Sequence, residues 1–183
     1  ALINEEGQIE IDKAHCSLEP FLFIDSTLVT WGDVTTSPSL HKGYLPLPAV
    51  TWNYRNEWVL TVEPVAAGAS GSSLMVVRYS LECRRPGLSM PRLYVAIRPF
   101  QVNPPWQFLN IVGGVARTEH IALREGRVSV GDKEVIPMTE PSAFGATSSA
   151  SGDITEYIAR GVLPGHSDTR DSRGCASAAL AYD

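Results

Sequence analysis

The sequence predicts an all-β chain, a two-sheet β-sandwich with at most one short helix near residues 153–160, and three observations carry that expectation. The 15 Gly and 13 Pro among 183 residues interrupt the chain at short, regular intervals, as many short strands joined by turns require. Met75, Val77, Tyr79, Leu81 and Cys83 alternate with Arg78, Ser80, Glu82 and Arg84, which gives a strand one wet face and one dry face, where a helix would mix the two sets. Only Asp153-Ile-Thr-Glu156, with a capping residue, an acid at the reciprocal position and a stop at Gly161, reads as a helix start, and it leaves room for about two turns.

The elements follow in order. Gln8 to Ile11 is a short strand, and Leu18 to Thr30 is a hairpin turning at Asp25-Ser26. Thr36 to Pro48 carries prolines that remove backbone donors, so an irregular surface loop is expected. Ala49 to Tyr54 and Glu57 to Ala66 are strands around the polar turn Arg55-Asn56, and the alternating strand after Gly71 comes next. Arg92 to Val102 is apolar on both faces apart from Arg98 and Gln101, which marks a central strand in which Arg98 needs a partner. His120 to Glu125, Arg127 to Val130 and Lys133 to Ile136 form a meander through Glu125-Gly126 and Gly131-Asp132. Cys175 to Tyr182 is Ala-rich yet alternates, and is assigned as a strand. Each half-wet sheet must bury its other face, hence a sandwich or a barrel, with no repeat to suggest a propeller.

A composition of 44% hydrophobic and 19% charged residues suits one core and a single domain over residues 1–183. The charge of −5, from 15 Lys+Arg against 20 Asp+Glu, lacks the basic footprint of nucleic-acid binding, and no apolar run approaches the length of a membrane helix. Cys16, Cys83 and Cys175 have neither disulfide nor zinc spacing and read as buried thiols of a reducing compartment such as the cytoplasm. The start without Met and the stop at Asp183, directly after an apolar stretch, lead to the expectation of an excised piece of a longer polypeptide.

The most distinctive stretch is Arg98-Pro-Phe-Gln-Val-Asn-Pro-Pro-Trp-Gln-Phe108. It joins a guanidinium, carboxamides and flat rings, the groups that bond sugar hydroxyls and stack on their C–H faces. Arg98, Gln101, Asn103, Trp106 and Gln107 are therefore candidate carbohydrate-contacting residues. The other reading gives the prolines an extended exit to hold, the rings a core to fill and Arg98 loop carbonyls to bond. Trp52 and Tyr54 share a strand face; Trp52 is assigned to the core, while Tyr54 and Trp58, flanking a turn, are further surface candidates for sugar stacking. Glycoside cleavage would need two carboxyl groups about 5–10 Å apart, and Asp25, Glu57, Glu63, Asp153, Glu156, Asp168 and Asp171 are available. His166 to Asp171 reads as a solvated loop rather than a metal cluster. No zinc-protease, nucleophile-elbow or nucleotide-binding motif is present, and no cofactor or metal is expected.

Three segments carry a resemblance: Glu19-Pro-Phe-Leu-Phe-Ile-Asp-Ser-Thr-Leu-Val-Thr-Trp31, Tyr94 to Phe108 with Gly113-Gly114, and Gly174-Cys-Ala-Ser-Ala-Ala-Leu-Ala-Tyr182. Together they resemble the β-supersandwich, or galactose-mutarotase-like, domain of large bacterial carbohydrate-active proteins. In these proteins it precedes an (α/α)6 toroid, and some are named for discoidin, or coagulation factor 5/8 type C, domains. The resemblance implies that catalysis belongs mainly to the toroid and that this piece is inactive alone, a structural domain with carbohydrate contact. It also implies partners in an oligosaccharide and in other domains of the parent chain. The histidine acid and glutamate base of true mutarotases find no match at His15, His41, His120 or His166, so that activity is not carried over. Two alternatives are a contribution of carboxylates such as Glu57 or Asp168 to a shared glycosidase site, and a protein-interaction module unrelated to sugars.

Overall fold

A computed structural model describes residues 2–12, 15–69, 72–102 and 114–183. In chain order the first half contains β1 (Leu2–Ile3), β2 (Ile9–Glu10), β3 (Ser17–Ile24), β4 (Thr27–Val29), β5 (Thr35–Leu40), β6 (Pro48–Tyr54), β7 (Trp58–Ala69) and β8 (Ser72–Cys83). The second half contains β9 (Arg92–Arg98), β10 (His120–Arg124), β11 (Arg127–Val130), β12 (Lys133–Val135), β13 (Ala143–Thr147), α1 (Ile154–Ile158), β14 (Asp168–Arg170) and β15 (Ser177–Tyr182). The class is all-β, and every pairing between these strands is antiparallel.

One large sheet runs β1-β2-β3-β9-β15-β13, with β4 added to β3 as its seventh strand. Two four-stranded sheets accompany it, β5-β6-β7-β8 and β12-β11-β10-β14. The sandwich is therefore one sheet opposed by two smaller ones, where two sheets were expected. Parity along the central strands explains the layering. Leu18, Leu22, Leu93, Val95, Ile97, Ala178 and Leu180 point into a core shared with Val50, Trp52, Leu60 and Val62 of the second sheet and Ile121, Val128 and Val130 of the third. Their sequence neighbours Phe21, Tyr94, Ala96, Ala179 and Ala181 point the other way and pack under Ile154 and Ile158 of α1. Small residues on β9 and β15 let that short helix approach the sheet closely, and Asp153 caps it by accepting a hydrogen bond from the Thr155 N–H.

The turns follow residue type. Asp25-Ser26 and Arg55-Asn56 adopt positive φ at both positions (47° and 62°, 53° and 56°), left-handed pairs that suit the twist of hairpins; the first pair is the whole loop between Ile24 and Thr27, and the second lies with Glu57 between the partners Tyr54 and Trp58. The Ala-rich terminal segment is a strand, flanked on both sides by β9 and β13.

Several expectations are corrected. Residues 35–40 are strand β5 rather than loop: Pro38 is accommodated because β5 lies at the edge of its sheet, where a missing N–H costs no ladder bond. Residues 168–170, expected as loop, pair with β10 as β14. Cys83 is exposed and Cys175 half-buried, so only Cys16 is a buried thiol. Tyr54 and Trp58, expected at the surface, are 7% and 1% exposed. They are cross-strand partners on the inner face of the second sheet, in line with Trp52, so neither ring is presented to solvent for sugar stacking. Trp52 is in the core as expected, and its indole N–H donates to the Glu6 carbonyl at 2.8 Å.

Candidate functional site

Arg98 ends β9 on the face of the large sheet that α1 covers. Its register opposite Ser17, and that of Glu19 opposite Ala96, put the Arg98 and Glu19 side chains diagonally across from each other. The guanidinium donates to Glu19 Oε2 at 2.7 Å, reaches Asp153 Oδ1 at 3.3 Å and lies over the Phe100 ring at 4.6 Å. The side chains of Arg98 and Glu19 are only 19% and 8% exposed, so the charges need one another. Asp153 has two tasks, capping α1 and neutralising Arg98, and the ion pairs thereby fasten the helix to the sheet. Arg98 Nε is buried and has no hydrogen-bond partner among the described residues. Arg98 thus bonds carboxylates, where loop carbonyls were the non-functional expectation.

Beyond Arg98 the chain leaves the sheet along a second strip of backbone. Ala116 N–H donates to the Pro99 carbonyl, Gln101 N–H to the Gly114 carbonyl, and Phe100 bridges Val115. Gln101 is half-buried there. Val102 N–H donates to Glu10 Oε2 at 2.9 Å, which brings a buried carboxylate of β2 to the exit. Asn103, Trp106 and Gln107 lie outside the described residues.

A shallow hollow of about 420 Å³ opens beside this exit, lined by Leu2, Ile3, Asn4, Glu5, Glu6 and Val102. Asn4 shapes its rim: the Oδ1 atom accepts from the backbone N–H groups of Glu6 and Gln8, and the amide nitrogen donates to Glu6 Oε2. A smaller hollow of about 270 Å³ shares Ile3, Asn4 and Glu5 and continues over Pro38, Leu40, Pro48 and Val50. Asn4, Glu5 and Glu6 escape sequence reasoning because nothing in an Asn-Glu-Glu-Gly turn announces that it folds against a segment almost a hundred residues later; the Asx-turn pattern is the available signal.

Most of the carboxylates considered for glycoside cleavage already have partners. Glu57 pairs with Arg85 and Glu63 with Arg78, both on the surface. Asp25 accepts from the Ser89 hydroxyl in its turn. Asp168 is held below the usual carboxylate range by hydrogen bonds from His120 and then Arg124. Asp171 is 5% exposed; burial pushes its carboxyl up, but bonds from Ser149, Arg173 and Cys175 outweigh it and bring the pKa down to about 2. His15 likewise faces an aspartate, Asp132 at 3.1 Å. Among the described residues no group of three or more His, Cys, Asp or Glu side chains is arranged to hold a metal, and no helix is long and apolar enough to cross a membrane.

Among the described residues, the exit from β9 and the hollow beside it bring polar side chains and open surface together. No protein-family model, curated protein or solved structure matches the chain.

Proposed function

We propose that this chain is a non-catalytic β-sandwich domain of a carbohydrate-active protein of the glycoside hydrolase type, structural in role and contacting an oligosaccharide at the exit from β9. The observation that carries the reading is the hollow bounded by Asn4, Glu5, Glu6 and Val102, where amide and carboxylate groups that bond hydroxyls stand beside Val102, the residue from which the sequence richest in rings and carboxamides continues. The resemblance of residues 19–31, 94–108 and 174–182 to the supersandwich domain supports the same class of parent protein. The absence of a free carboxylate pair among the candidates considered favours the non-catalytic form over a share in a glycosidase site.

Calorimetric titration with maltose-type and other neutral oligosaccharides tests the reading. Weak binding is expected, in the range of about 10 μM to 1 mM, and Gln101→Ala and Trp106→Ala each reduce it. Arg98 is left intact in this test because it also fastens α1. A folded chain that gives no heat with any oligosaccharide, or variants that retain all binding, would overturn the sugar contact. Release of reducing ends by the chain alone would instead favour the catalytic alternative.

A further inference from the structure

Strand β8 is the outer strand of its sheet and carries twelve residues in unbroken antiparallel register with β7. The Arg84 N–H donates to the Glu57 carbonyl, which sets the alternation along the pair: even-numbered residues of β8 turn their backbone groups to β7, and odd-numbered residues from Ser73 to Cys83 turn theirs outward. Among the described residues no strand pairs with this outer edge. It has no proline, no bulge and no inward-pointing charge to discourage pairing. Pairing with β6 ends at Val62, so residues 65–69 and 72–76 pair beyond it as a two-stranded ribbon that carries no charge and exposes Val65, Leu74 and Val76. Such a ribbon is marginally stable in water without a further partner.

The charges on the strand say which partner fits. Arg78, Ser80 and Glu82 share the exposed face. If a second β8 runs antiparallel about a two-fold axis at Ser80, Arg78 of each copy lies opposite Glu82 of the other. Tyr79 then meets Leu81 on the core face with their outward backbone groups aligned. A two-fold axis at Arg78 sets Arg78 against itself, and no other two-fold register that pairs more than half of the strand sets an arginine against a glutamate. Arg78 already bonds Glu63 on β7 at 2.6 Å, so the second copy's Glu82 completes a row of alternating charge across the joined sheets. We propose that the β8 edge is a homodimer interface, in which two copies pair about Ser80 and their two four-stranded sheets become one of eight strands.

Sedimentation of the purified chain over about 1–100 μM is expected to show a monomer–dimer equilibrium. Glu82 is exposed and its ion pair with Arg84 is a surface one at 3.7 Å, so Glu82→Arg keeps the far-UV spectrum and, at concentrations where the monomer dominates, shifts the melting temperature by no more than about 3 °C, while it weakens the dimer roughly tenfold by setting arginines opposite each other twice. Ser80→Cys, made with Cys83→Ser, is expected to cross-link two copies on mild oxidation, because residues at the axis of a non-hydrogen-bonded pair stand about 4.5 Å apart at Cα. A chain that stays monomeric throughout, as it would if this edge receives a strand of another protein, overturns the proposal. So does a dimer that is indifferent to Glu82→Arg, or one that fails to cross-link through Ser80→Cys.

Discussion

Asp171 offers the sharpest test of how the loops around β14 and β15 are held. Its Oδ2 accepts from the Ser149 N–H, its Oδ1 from the Arg173 N–H at 2.8 Å, and its own N–H donates to the Glu119 carbonyl. The carboxylate thus joins the Ser149 and Arg173 segments while the backbone of the same residue holds Glu119, in a site that is 5% exposed. A pKa of about 2 against the ordinary 3.8 corresponds to about 2 kcal/mol of folding free energy. The two backbone bonds, at about 1.5–3 kcal/mol for each bond to a charged group, are of sufficient size to supply it. Because the folded pKa lies below the unfolded one, this stabilisation is complete above the unfolded value and disappears as the pH falls through the folded one. Asp171→Asn keeps the shape and loses the charge. In urea unfolding the variant is expected to be about 2 kcal/mol less stable than the parent near neutral pH, with the gap reduced to about half by roughly pH 3. Taking the difference between the two proteins cancels the other carboxylates that titrate in the same range. A gap that is constant from neutral pH to pH 3, or no gap at neutral pH, would refute the assignment of the low pKa to these bonds.

Thiol labelling checks the burial of the cysteines. Burial pushes Cys16 up to about 12, so under native conditions near pH 8 an alkylating reagent is expected to modify Cys83 quickly, Cys175 more slowly, and Cys16 only after denaturation; rapid loss of all three thiols would contradict the core placement of Cys16. Gly161 sits at φ 71°, where an added Cβ would lie 2.6 Å from Phe23 Cζ. Gly161→Ala is therefore expected to destabilise the chain by about 1–3 kcal/mol, measured as a drop in melting temperature, and an unchanged melting temperature would mean that the contact yields freely.

The hairpins at Asp25-Ser26 and Arg55-Asn56 are readable in the sequence because short polar turns between apolar runs carry a local signal, and β8 is readable because residues 77–83 alternate without a break. Strands β5 and β14 are not, since one is proline-bearing and exposed and the other is three residues of Asp, Thr and Arg; each is a strand only through its neighbour. Tyr54 shows a subtler failure. Proximity to a turn suggested exposure, yet the parity that places Trp52 in the core carries Tyr54 with it, and Trp58 follows as its cross-strand partner. In the candidate site, the need of Arg98 for a partner is visible from a charge within an apolar strand. Its partner Glu19 lies 79 residues away, and the hollow walled by Asn4 to Glu6 depends on an N-terminal turn reaching Val102.

What the sequence alone determined is the class and the local grammar: antiparallel strands, their turns, one short capped helix, and which residues of a strand share a face. These follow from backbone sterics and from the period-two projection of side chains, both local properties. Only the tertiary structure decided that one large sheet faces two small ones, that β15 lies between β9 and β13, and that Arg98 is neutralised by Glu19 and Asp153. The reason is that a strand's hydrogen-bond groups are the same in every sequence, so its partner is selected by the burial of whole faces and the pairing of charges across the fold, which no short window of residues contains.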